Sequence, residues 1–77
     1  MRVLLDKEMV IEVADISGYK DDNGLYYVNF RYEGSEDYIE FYYNGISDEE
    51  AKKRSERIVR EAFEKGYVDC SDEPWDL

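Results

Sequence analysis

The sequence predicts a small two-layer α+β domain, in which an antiparallel β-meander of three to four strands precedes one C-terminal amphipathic helix and an acidic tail. Two patterns and one composition figure predict it. Residues 25–33 and 37–44 alternate apolar and polar side chains with a period of two, as half-buried strands do. Residues 48–65 instead carry apolar side chains at helical spacing behind a capping sequence. Of the 77 residues, 43% are hydrophobic and 16% aromatic, enough to furnish one core. The mean hydropathy of −0.76 understates that core, because tyrosine scores as polar yet buries a large ring. High charge with few aromatics would signal disorder; eight Tyr and three Phe in ordered patterns argue for a folded chain.

Val3–Leu5 and Met9–Ile16 are β-prone, and the charged stretch Asp6-Lys7-Glu8 between them reads as a tight hairpin. The next break, Gly18–Gly24, holds Asp21-Asp22-Asn23-Gly24, and Asn-Gly is among the strongest short turn signals. In Leu25–Glu33, Tyr26, Val28, Phe30 and Tyr32 alternate with Tyr27, Asn29, Arg31 and Glu33. Gly34-Ser35 centres the following turn, and Asp37–Asn44 sets Ile39, Phe41 and Tyr43 against Tyr38, Glu40 and Tyr42. Short turns between successive strands make the sheet an antiparallel meander.

Ser47 followed by Glu50 forms a capping box, with Ile46 placed to staple onto Ala51. Asp48, Glu49 and Glu50 suit the positive end of the helix dipole, and Gly66 supplies a left-handed stop with Tyr67 packing back. The helix Asp48–Lys65 is 18 residues long, about 27 Å at ~1.5 Å per residue. Its expected buried stripe is Ala51, Ile58, Val59, Ala62 and Phe63, with Ser55 near the middle. Residues 1–66 form the single domain, and residues 67–77, with Pro74 and Trp75, read as an irregular acidic tail.

Twenty acidic and ten basic side chains, with no His, give a net charge of −10. That balance argues against direct binding of nucleic acid, whose phosphates require Lys and Arg, and against an anionic membrane surface. Without His, the usual proton shuttle and the commonest metal ligand are both missing. The single Cys70 can form neither an intramolecular disulfide nor a zinc site. No base stands ready for a nucleophile, the Gly residues are isolated rather than gathered in a phosphate loop, and Asp21–Gly24 lacks the later ligands of a calcium loop. A Glu12–Glu40 carboxylate pair is the best catalytic candidate, and so small a domain offers little cleft to desolvate it. The expectation is a non-enzyme with no cofactor and no metal. No apolar run exceeds four residues, so no segment is expected to span a membrane. The stretch before Asp6 is too short for a signal-peptide core, and a reduced Cys70 suits the cytoplasm.

The charge is unevenly spread. Residues 48–65 hold six acids and six bases, so the helix is neutral. The whole excess comes from residues 1–47, at −6, and from residues 67–77, at −4. On the helix, Glu49–Lys53, Glu50–Arg54, Glu56–Arg60 and Glu61–Lys65 stand one turn apart, which describes a salt-bridged solvated face. Lys52, Lys53, Arg54, Arg57 and Arg60 are then poor candidates for a phosphate site. The sheet face turned away from the helix presents Tyr27, Asn29 and Arg31 beside Tyr38, Glu40 and Tyr42, with Glu12 joining from the earlier strand. Asp21 and Asp22 rim it at one end, Glu33, Glu36 and Asp37 at the other.

Rigid amphipathic Tyr rings ringed by carboxylates suit recognition of a basic protein. In the tail, Asp72, Glu73, Trp75 and Asp76 combine charge with one large aromatic; Trp75 either enters a partner's pocket or folds back over its own core. In size, acidity and lack of catalytic residues the chain resembles DNA-mimic inhibitors of phages and mobile elements, including anti-CRISPR and anti-restriction proteins. What the resemblance implies is a cytoplasmic inhibitor, in a bacterial host if phage-encoded, that occupies the basic groove of a nuclease or other nucleic-acid-binding protein. An immunity protein or antitoxin, and a non-inhibitory adaptor or structural interaction module, are the alternatives. The expected oligomeric state is a monomer or a weak homodimer, because like charges oppose self-association.

Overall fold

The computed structural model describes residues 1–75. Its elements run β1 (Arg2–Leu4), β2 (Val10–Lys20), β3 (Tyr26–Tyr32), β4 (Tyr38–Tyr42), α1 (Asp48–Lys65) and β5 (Tyr67–Asp69). They form one five-stranded sheet in the order β4-β3-β2-β1-β5 with α1 packed on one face. The first four strands are the expected antiparallel meander. The fifth corrects the expectation of an irregular tail from Tyr67: it lies parallel to β1, with Val68 opposite Val3. The helix is long enough to carry the chain back to the start of β1, where Arg2 N–H donates to Gly66 O at 2.9 Å.

β2 is longer than its sequence pattern suggests. A bulge between Val13 and Asp15 adds one residue and re-aims the rest of the strand. Val13 and Ile16, three apart, therefore both face the core. Gly18 continues the strand opposite Val28 and does not break it. A Cβ built on Gly18 would stand 2.8 Å from Ser55 Cβ, so this position lets the helix approach the sheet.

The turns are held by side chains as expected of Asp and Ser. Asp6 Oδ1 accepts from the N–H groups of Glu8 and Met9, and Asp21 Oδ1 accepts from those of Asn23 and Leu25. Ser47 Oγ accepts from Glu50 N–H at 3.1 Å, but the capping box closes on one side only. Glu50 turns outward instead, to accept from Arg54 Nε at 3.0 Å. Gly66 ends the helix with φ 72°.

Ala51, Ser55, Ile58 and Ala62 are buried, with Val59 half-buried beside them. Phe63 is not part of the stripe: it is 57% exposed, because the buried row runs through Ala62 and the next residue lies about 100° further round the helix. Opposite the helix, Val3, Val13, Val28 and Phe30 complete the core. No helix is long and apolar enough to cross a membrane among the described residues.

Candidate functional site

The sheet face away from α1 is a small grid set by the strand registers. Tyr19, Tyr27 and Tyr42 stand in one row across β2, β3 and β4; Ser17, Asn29 and Glu40 form the next; Asp15, Arg31 and Tyr38 the third. The tyrosine row is continuous, with ring centroids 5.7 Å apart for Tyr19–Tyr27 and 5.0 Å for Tyr27–Tyr42. Such tilted pairs gain about 0.5–1.5 kcal/mol each beyond burial, so the row is a stiff platform. Partial desolvation within the stack, and then Glu40, raise Tyr27 and Tyr42 above the ordinary 10.0, with Asp21 adding in both cases. Both phenols are therefore neutral donors near pH 7, and the nearby carboxylates are the charged groups of the face.

The candidate contacts separate into three groups. Tyr27, Tyr38, Glu40 and Tyr42 come together on this face, with Asp21 close enough to act on the two phenols. Asp22, Glu36 and Asp37 are exposed in the flanking turns. Among the described residues Asp21, Asp22, Glu36, Asp37 and Glu40 make no salt bridge to a basic side chain. Glu12 is on the same face but further along β2, bonded to Arg2 Nε at 3.0 Å. It is separated from Glu40 by an intervening strand and several residues of β2, more than ~15 Å at ~3.3 Å per residue. The two do not form a carboxylate pair.

The tail residues belong to the core instead. After β5, residues 70–75 cross the helix-bearing face as a strap. Cys70 N–H donates to Leu4 O at one edge of the sheet, and Asn44 N–H donates to Pro74 O at the other. Trp75 is 9% exposed. Its indole stacks on Phe41 at 4.8 Å and 11° and meets Phe30 edge-on at 5.8 Å. A core formed by one helix over five strands leaves β4 uncovered, and Trp75 covers it. Of the two readings of Trp75, the fold shows the one in which it folds back over its own core, and its place among the partner contacts is corrected accordingly. Its Nε1 is buried without a sound hydrogen bond among the described residues, although it lies near enough to Tyr43 to counter part of the rise in that phenol.

Glu73 is likewise corrected from a steering charge to an internal anchor, its side chain only 2% exposed. Its Oε2 meets Arg54 Nη1 at 2.7 Å and Arg57 Nη2 at 3.6 Å, and its Oε1 accepts from Tyr43 Oη at 3.0 Å. Burial, with the Glu73 charge second, drives Tyr43 far above its ordinary range. Asp72 remains exposed, and Asp76 lies outside the described residues.

Of the four expected helix pairs, Glu49–Lys53 at 3.7 Å and Glu50–Arg54 at 3.0 Å form. Glu61 pairs with Arg57 at 3.5 Å rather than with Lys65. Arg54 and Arg57 face the strap, which takes two of the five candidate cations away from any phosphate patch.

Tyr19 and Asp15 are the residues that sequence reasoning missed. Gly18 suggests a break, which hides the alternation of Ile16, Gly18 and Lys20 against Ser17 and Tyr19. The signal exists in that period of two, obscured by the bulge just before it. No family model, curated protein or solved structure matches this chain.

Proposed function

We propose that the protein is a small acidic inhibitor that binds a nuclease or other nucleic-acid-binding protein through the tyrosine face and occupies its basic groove. The observation that carries this reading is the Tyr19–Tyr27–Tyr42 row flanked by Glu40 and Asp21, whose carboxylates have no basic partner among the described residues. In such a complex the carboxylates stand where phosphates would, and the phenol rings offer the flat surfaces that aromatic and Arg side chains of the partner normally stack on. The anionic field steers a basic partner and speeds encounter. The helix cannot contribute that field, because its charges cancel.

The test is capture of the partner from lysate of the native source, identification by mass spectrometry, and titration of the purified pair at rising salt. Expected is a basic nucleic-acid-binding protein whose affinity falls steeply between low salt and ~0.5 M, as exposed charges are screened, and whose nucleic acid competes with this protein. Charge reversal at Asp22, Asp37 and Glu40 should weaken the complex at least tenfold while leaving the fold intact. An affinity indifferent to salt, or simultaneous binding of nucleic acid, refutes the reading.

A further inference from the structure

β4 is an edge strand of the sheet, and the register shows which of its backbone groups are unused. Tyr32 N–H donates to Asp37 O and Tyr43 N–H to Tyr26 O. Bonded pairs alternate along an antiparallel ladder, so Ile39 and Phe41 bond to β3 while the N–H and C=O groups of Tyr38 and Glu40 face outward. Among the described residues those groups find no partner. A further unpaired stretch, β2 beyond Glu12, differs: Glu56, Val59 and Arg60 of α1 line the cleft beside it.

On the core side of β4 lies a groove of about 430 Å³, walled mainly by Leu5, Met9, Ile39, Phe41 and Trp75. Asp6 and Glu40 contribute the charged part of its lining. Met9 is 52% exposed there, and Trp75 forms one wall. The chain itself shows what this edge accepts. Trp75 pairs antiparallel with Tyr43 beyond the end of β4 and drops its indole onto Phe41. Further along the same edge, at Glu40 and Tyr38, no strand is paired among the described residues.

We infer that this edge and groove form a second recognition element, which binds an extended segment of a basic partner as an added strand. The segment alternates basic and apolar side chains. Its backbone pairs with Tyr38 and Glu40, its apolar side chains enter the groove beside Trp75, and its Lys or Arg side chains meet Glu40 beside Tyr38 on the outer side. The period of two makes this one arrangement: on a strand, the residues that reach the groove and those that reach Glu40 on the outer face alternate. Charge selects the occupant. Asp6, Glu36, Asp37 and Glu40 surround this end with no salt bridge among the described residues, so a second copy of this chain is repelled and a basic strand attracted. The inference builds on the proposed basic partner; it uses the β4 edge and the core-side groove rather than the tyrosine row, and shares Glu40 with the tyrosine face.

Peptides test it on the intact protein. The probe is the capped heptapeptide Lys-Val-Lys-Leu-Lys-Val-Lys; its controls are a block isomer of the same composition and a version N-methylated on the residues that would pair. Amide shifts and hydrogen exchange are read by NMR. Support consists of slowed exchange at the Tyr38 and Glu40 amides, at least tenfold weaker binding of both controls, and severalfold loss with Met9→Ser but not with Tyr19→Ser. Equal binding of the block isomer, or shifts confined to Tyr19 and Tyr27, overturns the added strand and leaves the tyrosine face standing. Dimerisation of the free protein through the same amides also overturns it. Loss of partner capture with Tyr19→Ser, tested separately, reports on the tyrosine face alone.

Discussion

Replacing Gly18 with Ala probes the closest approach of helix and sheet. The added Cβ would lie 2.8 Å from Ser55 Cβ and 2.9 Å from its Oγ. Ordinary contact begins near 3.4 Å, so about 0.6 Å must be opened. Rotating Ser55 does not relieve it, because the nearer atom is a Cβ fixed to the helix backbone. Ser55 is also 4% exposed, and its Oγ donates to Lys52 O at 2.9 Å. Relief requires moving α1 as a body. Overpacking of this kind costs ~1–3 kcal/mol, and removing a glycine from a strand interior returns ~0.5–1 kcal/mol. The expected net loss is therefore about 1–2 kcal/mol, against a total of roughly 4–12 kcal/mol for a domain of this size.

Urea unfolding of wild type, Gly18→Ala, Ser55→Gly and the double variant measures it. Ser55→Gly alone should cost ~0.5 kcal/mol in helix propensity. In the double variant the steric term disappears, so the cycle should show a coupling of at least ~1 kcal/mol. A Gly18→Ala protein as stable as wild type, or strictly additive variants, would refute the close-packing argument. The contrast with Gly66 is physical: nothing lies within 4 Å of a Cβ there, and its demand for glycine comes from φ +72°.

Three further outcomes are expected. Glu73→Gln keeps the shape of the strap anchor but removes its charge beside Arg54 and Arg57, which are 33% and 41% exposed; after discounting for that exposure, a loss of ~1–2 kcal/mol is expected. Urea unfolding with Trp75 fluorescence checks it, and a change under ~0.5 kcal/mol would remove Glu73 as an anchor. Cys70 is buried, and burial followed by the Glu73 charge pushes its thiol up to about 12, so iodoacetamide at about pH 8 should modify the unfolded chain far faster than the native one; equal rates would contradict its burial. Phenolate absorbance should show Tyr27 and Tyr42 ionising above the ordinary 10.0, with Glu40→Gln moving both back toward it. Because the folded state holds these phenols neutral, their contribution to stability is present below about pH 10 and is lost as pH rises through the shifted values; titration at the ordinary value would count against the stacked row.

Much of the fold and half of the site were legible because they depend on local rules. Alternation in Tyr26–Tyr32 and Tyr38–Tyr42 requires only that one face be buried, and it assigns Tyr27, Glu40 and Tyr42 to the outer face without knowledge of any partner strand. Ser47, Gly66 and the helical stripe are equally local. Tyr19 was not legible, because a bulge shifts the period of β2 and a steric glycine resembles a turn glycine in sequence. Phe63 fails for a related reason: the pattern supplies an apolar arc, and the sheet decides how much of it is covered.

The tail marks the boundary between the two kinds of information. Its amino acids alone establish that residues 67–77 are acidic, contain one large aromatic and follow a helix stop. It took the assembled fold to pair Tyr67–Asp69 with β1, to engage Glu73 with Arg54 and Arg57, and to close the core with Trp75 over Phe41. The reason is that pairing, neutralisation and burial are properties of two surfaces meeting. The partner surfaces here lie far away along the chain. Composition sets the net charge at −10; packing turned the Tyr face and its carboxylates outward and drew the tail's aromatic in.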